Sequence, residues 1–263
     1  TAGTNVLRAG QVLTPAALGL AAALGLGELK VIPRQRVLVM STGSELVAPG
    51  TPLRPGQIYE SNAVMLAAAV RDAGAEVIAA PMTGDDVATF RDALTRHVGD
   101  ADLIITTGGV SAGAYEVVKD SLGGEVEFVK VAMQPGMPQG AGIVNGTPII
   151  TLPGNPVSAL VSFEVFVRPA IRLLLGKRRL FRRTVTATAL QGMSSPAGRR
   201  QYRRGLLHRD DEGRYSAEPV GGAGSHLLAS LARANCLIVI DEEVTEVSEG
   251  DEVTVIPLLL SGA

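Results

Sequence analysis

The chain has 263 residues, of which 46% are hydrophobic and 19% charged, a balance typical of a globular protein rather than a disordered one. A net charge of −2 and an aromatic content of 3% argue against nucleic-acid binding, which uses basic surfaces and stacking platforms. The single cysteine excludes an internal disulfide and fits a reducing compartment, so we expect a cytoplasmic protein. With only three histidines besides, a zinc cluster is not expected.

Two uncharged stretches, residues 9–27 and 131–163, could be mistaken for membrane-spanning helices. The first contains a helix that begins at Thr14-Pro15 and ends at glycines, which makes it too short to cross a bilayer. The second is interrupted by five prolines and five glycines. The sequence therefore predicts no membrane association.

Residues 35–176 alternate between short apolar runs and helical segments. We predict strands over 36–40, 76–80, 102–106, 126–133 and 147–152. Helices are predicted over 61–70, 87–97 and 116–122, and a long one begins after residue 155 and reaches about residue 175. This order predicts a parallel sheet covered on both faces, in which ligands bind at the carboxyl ends of the strands.

The pattern changes after Gly176. Short strands are predicted over 183–190, 201–207, 236–240 and 252–257, with one short helix near 226–233. We therefore divide the chain into a remnant of an N-terminal or linker domain (1–34), an α/β domain (35–176) and a small β-rich domain (177–263). Residues 177–209 hold ten basic residues and no acidic one, which favours solvated strand faces and a dimer rim; an anion-attracting face or a nucleic-acid patch are the alternatives.

Three polar or glycine-rich loops follow predicted strands, at residues 41–45, 107–113 and 153–158. Backbone N–H groups in such loops, together with the dipole of a following helix, favour an anion. Each loop has a simpler interpretation, a tight turn or a helix cap. Their convergence at one edge of the sheet predicts a site for a phosphorylated or otherwise anionic organic ligand.

Few charged residues fall at this edge: Glu45, Asp85, Asp86, Glu116 and Lys130. Carboxylates beside a phosphate are favourable when Mg²⁺ bridges the two, and a lysine can neutralise oxyanion charge. Alternatively, the two aspartates cap the next helix, and the glutamate and lysine are merely solvated.

Five segments, in this order, resemble a known family: Ser41-Thr-Gly-Ser-Glu-Leu-Val47, Gly56-Gln-Ile-Tyr-Glu-Ser-Asn62, Thr107-Gly-Gly-Val-Ser-Ala-Gly113, Lys130-Val-Ala-Met-Gln-Pro-Gly136 and Leu152-Pro-Gly-Asn-Pro-Val-Ser-Ala-Leu160. They resemble the molybdopterin molybdenumtransferases, a family whose fold also occurs in the gephyrin E domain. The resemblance implies a three-layer molybdopterin-binding α/β domain with a parallel sheet, a small C-terminal β-barrel and a homodimer.

The reaction implied by the resemblance is the insertion of molybdate into adenylylated molybdopterin, with release of AMP and dependence on Mg²⁺. It implies catalytic roles for Glu45, Asp85, Glu116 and Lys130, of which the three acids would also be metal ligands. The implied cradle for the pterin and its phosphate consists of Thr42, Gly43, Gly108, Gly109, Ser111, Gly154, Asn155, Pro156 and Ser158. The adenylylating enzyme of the same pathway is an implied partner.

The sequence departs from the family pattern at three places. Ala114 stands where an acid is usual, Met137 where a lysine is usual, and Gln134 where another lysine can occur. The Asp-Gly-Tyr-Ala stretch of the family's N-terminal region is missing, so we expect this sequence to be part of a longer chain. The alternative function is a non-catalytic molybdopterin-binding scaffold. A nicotinamide-nucleotide hydrolase on the same domain is a third interpretation, against which the barrel-like tail argues.

Overall fold

The computed structural model describes residues 4–108, 114–222 and 228–258, and the side chains of 114–116 lie outside the description. The helices are α1 Pro15–Ala23, α2 Asn62–Ala73, α3 Val87–Val98, α4 Ala114–Ser121, α5 Pro156–Ser162, α6 Arg168–Leu174 and α7 Leu228–Arg233, with a π-helical segment Phe163–Val167 between α5 and α6. The strands are β1 Arg36–Thr42, β2 Leu46–Val47, β3 Ile58–Tyr59, β4 Glu76–Ala79, β5 Met82–Thr83, β6 Leu103–Thr107, β7 Val126–Lys130, β8 Met133–Gln134, β9 Pro138–Val144, β10 Thr147–Leu152, β11 Val185–Ala189, β12 Met193–Ser194, β13 Arg200–Arg209, β14 Tyr215–Pro219, β15 Cys236–Ile240, β16 Glu246–Val247 and β17 Glu252–Pro257.

A seven-stranded sheet forms the centre of the first unit. Its order is β4-β1-β6-β10-β9-β7, with β5 also paired to β1. Strands β4, β5 and β6 run parallel to β1, and β10 runs parallel to β6. The predicted α/β fold with a parallel sheet is therefore confirmed for these five strands.

The sheet carries helices on both faces because strand β1 buries alternate side chains on opposite sides. Val37 and Val39 of β1 pack in a core with α2 and α6, whereas Leu38 and Met40 pack in a second core with α3 and α4. These three layers confirm the predicted architecture.

One edge of the sheet differs from the prediction. The strand expected over 126–133 ends at Lys130, and residues 133–134 form β8, which belongs to another sheet. Strand β9, which was not predicted, pairs antiparallel with both β10 and β7. The prolines and glycines that excluded a membrane helix also hid this strand, because they weaken the apolar pattern by which strands are found.

The second unit is a closed barrel. Strands β14, β11, β17, β15 and β13 pair in that order, and the pairing of β13 with β14 closes the ring. Ala187, Ile238 and Val255 belong to its core. The predicted small C-terminal β-barrel is confirmed, although β14 was not predicted.

Two features join the barrel to the first unit. Strand β8 pairs in parallel with β13, so Met133 and Gln134 extend the barrel sheet. A separate apolar cluster brings Val157 and Val161 of α5 against Leu231 of α7 and Leu237 of β15. These contacts give the barrel a defined position relative to the sheet.

The N-terminal part contains α1, where the sequence predicted a helix. The Thr14 side chain accepts a hydrogen bond from the Ala17 N–H at 3.2 Å, as a helix N-cap does. Ala17 and Ala21 are buried, whereas Leu18 and Leu20 are exposed. Across the described ranges, none of the helices has both the length and the hydropathy needed to cross a bilayer.

Candidate functional site

The carboxyl ends of β1, β6 and β10 open into a cleft of about 540 Å³. Seven of the residues predicted to hold a ligand or a metal line it: Thr42, Glu45, Gly108, Gly154, Asn155, Pro156 and Ser158. The described parts of the three loops therefore meet at one edge of the sheet. A cleft of this size is in the range of small-molecule sites.

Two glycines lie in or beside the loops that form the cleft. A side chain on Gly108 would collide with Thr42 Oγ1 and would lie 2.6 Å from the Thr42 carbonyl oxygen. A side chain on Gly43 would lie 2.8 Å from Glu45 Oε2, because the Glu45 carboxylate folds back over Gly43. Gly108 thus allows a close approach of two loops that a larger residue would separate, whereas the Glu45 side chain beside Gly43 is flexible and could move aside.

Asp85 is attached to the first loop. The Ser44 N–H donates to Asp85 Oδ2 at 3.0 Å, and the Asp85 N–H donates to Ser44 Oγ at 3.0 Å. Since Ser44 precedes Glu45, these bonds place the two carboxylates on adjacent loops.

The neighbouring aspartate has a different role. Asp86 is the N-cap of α3, and its side chain accepts from the Thr89 N–H at 2.7 Å. Hydrogen bonds from the Thr89 side chain and backbone lower the pKa of Asp86. The cap that sequence reasoning assigned to either aspartate therefore belongs to Asp86, which leaves the Asp85 carboxylate to the first loop.

Glu60 was missed as a site residue, although it lies within a quoted motif and lines the cleft. Its side chain is buried, and Oε1 accepts from Ser41 Oγ at 2.9 Å and from the Ala63 N–H at 2.8 Å. A carboxylate directly before a helix interacts favourably with the positive, N-terminal end of the helix dipole. That position was the available sequence signal, but the contact with Ser41 depends on tertiary structure.

Two asparagines shape the loop after β10. Asn155 holds the N-cap position of α5 without a side-chain capping bond, and it is exposed at the cleft. Asn62, which was also missed, donates from Nδ2 to the Gly154 carbonyl at 2.6 Å. The side-chain oxygens of Asn62 and Thr42 are buried and have no hydrogen-bond partner among the described residues. Several other side-chain atoms of the described residues share this property, and Thr42 and Asn62 are distinguished by their position in the lining of the cleft.

None of the remaining predicted residues that the structure describes lines the cleft, and Gly43 and Asp85 are among them. Lys130 is exposed and pairs with Pro138, a cleft residue, but does not itself line the cleft. The Glu116 backbone belongs to α4, but its side chain, Gly109 and Ser111 lie outside the described residues. In the part of the chain that the structure describes, no three His, Cys, Asp or Glu residues cluster as a metal site.

Two family models match the two structural units. Residues 38–173 match the probable molybdopterin binding domain, and residues 186–258 match the MoeA C-terminal region (domain IV). The first match covers more than half of the chain. Together with the fold, these matches define a molybdopterin-binding domain followed by a MoeA-type C-terminal domain.

Similar proteins agree with these matches. Molybdopterin molybdenumtransferase 2 of Mycobacterium tuberculosis is 60% identical over 97% of this chain and 64% of its own length. Molybdopterin molybdenumtransferase of Haemophilus influenzae is 38% identical over 97% of this chain and 64% of its own. A molybdopterin biosynthesis MoeA protein from Pyrococcus horikosii superimposes with a TM-score of 0.80 at 30% identity, covering 96% of this chain and 62% of that one.

The chain thus spans slightly less than two thirds of the length of these relatives. It belongs to the molybdopterin molybdenumtransferase family. The resemblance inferred from the five sequence segments is confirmed.

Proposed function

We propose that this chain carries the molybdopterin-binding part of a molybdopterin molybdenumtransferase, which inserts molybdate into adenylylated molybdopterin and releases AMP. The observation that carries the proposal is the cleft at the ends of β1, β6 and β10, with its two unpartnered buried oxygens. The similarity of this chain to molybdopterin molybdenumtransferases supports a molybdopterin as the ligand of the cleft.

The ligand-binding roles follow from where each residue lies. Thr42 Oγ1 and Asn62 Oδ1 would bond polar groups of the pterin, since neither has a partner among the described residues. Asn155 and Ser158 would hold the phosphate at the start of α5, where the helix dipole favours an anion. Gly43, Gly108 and Gly154 keep the backbone close to the ligand. We retain Gly109 and Ser111 of the same loop in this cradle.

The donor set fits Mg²⁺. Glu45 and Asp85 are exposed carboxylates on adjacent loops, and Mg²⁺ is usually held by one or two carboxylates together with substrate phosphates. We assign these two residues as ligands and add Glu116 from α4. When bound, the metal supplies charge neutralisation between the carboxylates and the phosphate. The Ser44–Asp85 hydrogen bonds keep Asp85 beside the loop of Glu45.

Lys130 is assigned to the stabilisation of oxyanion charge. Lys130 lies on β7 opposite Pro138, which lines the cleft. The Lys130 side chain is exposed. A long cationic side chain at that position can reach an anionic substrate.

A non-catalytic molybdopterin-binding scaffold is the second candidate. It is favoured by Ala114, Gln134 and Met137, which leave the site with fewer charged groups than the family pattern. Gln134 is moreover part of β8 and pairs with the barrel strand β13.

AMP release separates the two candidates. The full-length protein is loaded with adenylylated molybdopterin, molybdate and Mg²⁺ are added, and AMP is measured by chromatography. We expect AMP release that requires molybdate, and a slowing of roughly 10–100-fold in Glu45→Gln. Glu246→Gln, on β16 of the second unit, is the matched control and should release AMP at the wild-type rate.

Two other results of this experiment would favour the scaffold or contradict both candidates. Binding without AMP release would favour the scaffold. Failure to bind molybdopterin and its adenylylated form at micromolar concentration would contradict both candidates.

We also propose that the whole protein is a homodimer that receives its substrate from the adenylylating enzyme. Exposed leucines on and after α1, at positions 18, 20, 24 and 26, support an interface in the N-terminal part. The molar mass of the full-length protein by light scattering tests the dimer. The cytoplasmic location stays a prediction from the sequence.

A further inference from the structure

A second cleft, of about 490 Å³, lies between residues 8–12 and the end of α6. Half of its ten lining residues are cationic, and no acidic residue lines it in the described ranges. The five cationic residues define what we call the basic cleft: Arg8, Arg172, Lys177, Arg178 and Arg179. They come from two separate parts of the chain, residue 8 and residues 172–179, which tertiary structure brings together.

The backbone around the basic cleft is fixed by hydrogen bonds. Arg172 Nε donates to the Arg179 carbonyl at 2.7 Å, and the Lys177 N–H donates to the Arg172 carbonyl at 2.9 Å. On the other side, the Gln11 N–H donates to the Arg8 carbonyl at 3.1 Å. Each side of the basic cleft is therefore held by its own local hydrogen bonds.

The positive charge of the basic cleft is not neutralised within the described residues. None of its five cations forms an ion pair with a carboxylate there. Asp72 interacts with Arg172 only at longer range, and its carboxylate already pairs with Arg168 at 2.8 Å and Arg182 at 3.2 Å. Burial and the positive charges of Arg168 and Arg182 lower the pKa of Arg172. An added anion would relieve this repulsion.

Stabilisation of a helix end does not explain the whole cluster. A cation in the last turn of a helix interacts favourably with the helix dipole, and this accounts for Arg172 of α6. Arg8 lies on a different segment, and Arg178 and Arg179 lie beyond the last turn, where the dipole effect has faded.

Exposed apolar side chains accompany the cations in sequence. Val12, which lines the cleft, is 61% exposed, and Leu173 and Phe181 are 64% and 70% exposed. Arginine and aromatic residues together are typical of protein–protein interfaces.

We propose that the basic cleft docks an acidic segment of another protein. Carboxylates of that segment pair with Arg178 and Arg179, and its apolar residues contact Val12, Leu173 and Phe181. This surface is separate from the residues of the proposed molybdopterin site.

The proposal is tested with the full-length protein and a fluorescein-labelled synthetic peptide of alternating glutamate and leucine, by fluorescence anisotropy at physiological salt. We expect saturable binding that Arg178→Glu/Arg179→Glu weakens by about tenfold, because two exposed ion pairs are replaced by repulsion. Arg96→Glu/Arg233→Glu, which makes the same charge change at exposed helix positions, should bind the peptide as the wild type does. Both double variants should retain molybdate-dependent AMP release.

Three results would overturn the proposal. In the first, the full-length protein does not bind the peptide. In the second, both double variants weaken binding equally, which shows only an effect of net charge. In the third, pyrophosphate binds as tightly as the peptide and displaces it, which makes the basic cleft a site for small anions.

Discussion

Ser44 and Asp85 lie 41 positions apart and bind each other through two reciprocal hydrogen bonds, each of 3.0 Å. The next residue, Asp86, instead caps α3. Two adjacent aspartates thus serve different loops, and replacing each one separately should have different effects.

We expect Asp85→Ala to weaken Mg²⁺-dependent binding of adenylylated molybdopterin and to change the free energy of unfolding little, because Asp85 is exposed. Asp86→Ala should leave ligand binding unchanged and lower the free energy of unfolding, since loss of an N-cap costs about 1 kcal/mol of stability. Calorimetric titration and urea unfolding measure the two effects. Equal loss of ligand binding in both variants would contradict the assignment of Asp85 as a metal ligand.

Glu60 is expected to stabilise the wall of the cleft. In Glu60→Ala, Ser41 Oγ and the Ala63 N–H lose their buried acceptor, which should lower the free energy of unfolding by about 1–3 kcal/mol. Glu60→Gln keeps an acceptor oxygen and should lose less, as urea unfolding can measure. If the two variants are equally destabilised, the negative charge rather than the hydrogen bonds matters.

Burial raises the pKa of the Cys236 thiol to about 12. We therefore expect native protein at pH 8 to resist alkylation by iodoacetamide, and unfolded protein to react. Because the folded state keeps its proton while the unfolded thiol ionises from about pH 9, stability should fall as the pH rises from 9 towards 12. Urea unfolding of Cys236→Ala should show a weaker fall over this range, and an identical fall would exclude the thiol as its cause.

Arg182 forms a buried ion pair that links the start of the second unit to the first. Its Nε lies 2.6 Å from Glu164 Oε2, and both side chains are about nine-tenths buried. Arg182→Ala should destabilise the protein by about 3–5 kcal/mol, because it leaves a buried carboxylate with a weaker partner, Arg168 at 3.8 Å. Arg214→Ala, whose partner Asp210 is on the surface, is the control and should cost less than about 1 kcal/mol. Equal losses in the urea unfolding of the two variants would contradict this account.

The fold was largely predictable because its strands are marked by apolar runs. Strand β1 and its neighbours have clear patterns, and the loops after them contain the glycines that a close approach requires. Strand β9 escaped prediction because Gly140 and Gly142 replace side chains that would collide with Phe128 and the Glu125 backbone. The close packing around β9 requires glycine at these two positions, and glycine carries no apolar side chain from which a strand could be predicted.

The candidate site was predictable only where one loop carries the signal. Asn155 and Ser158 follow a strand within a single motif, and both line the cleft. Glu60 and Asn62 act on partners far along the chain, Ser41 and Gly154, so no local pattern could assign their contacts. The sequence could not decide whether Asp85 or Asp86 caps α3 for the same reason. The partner of Asp85 is Ser44, which lies 41 positions away.

Strand β8 connects the barrel to the wall of the cleft. It hydrogen-bonds to the barrel through β13, and the chain continues from it to Pro138 in the wall of the cleft. A tilt of the barrel would therefore pull on that wall or break the β8–β13 pairing. A change in the orientation of the C-terminal unit would thus reach the wall of the cleft through this one segment of the chain.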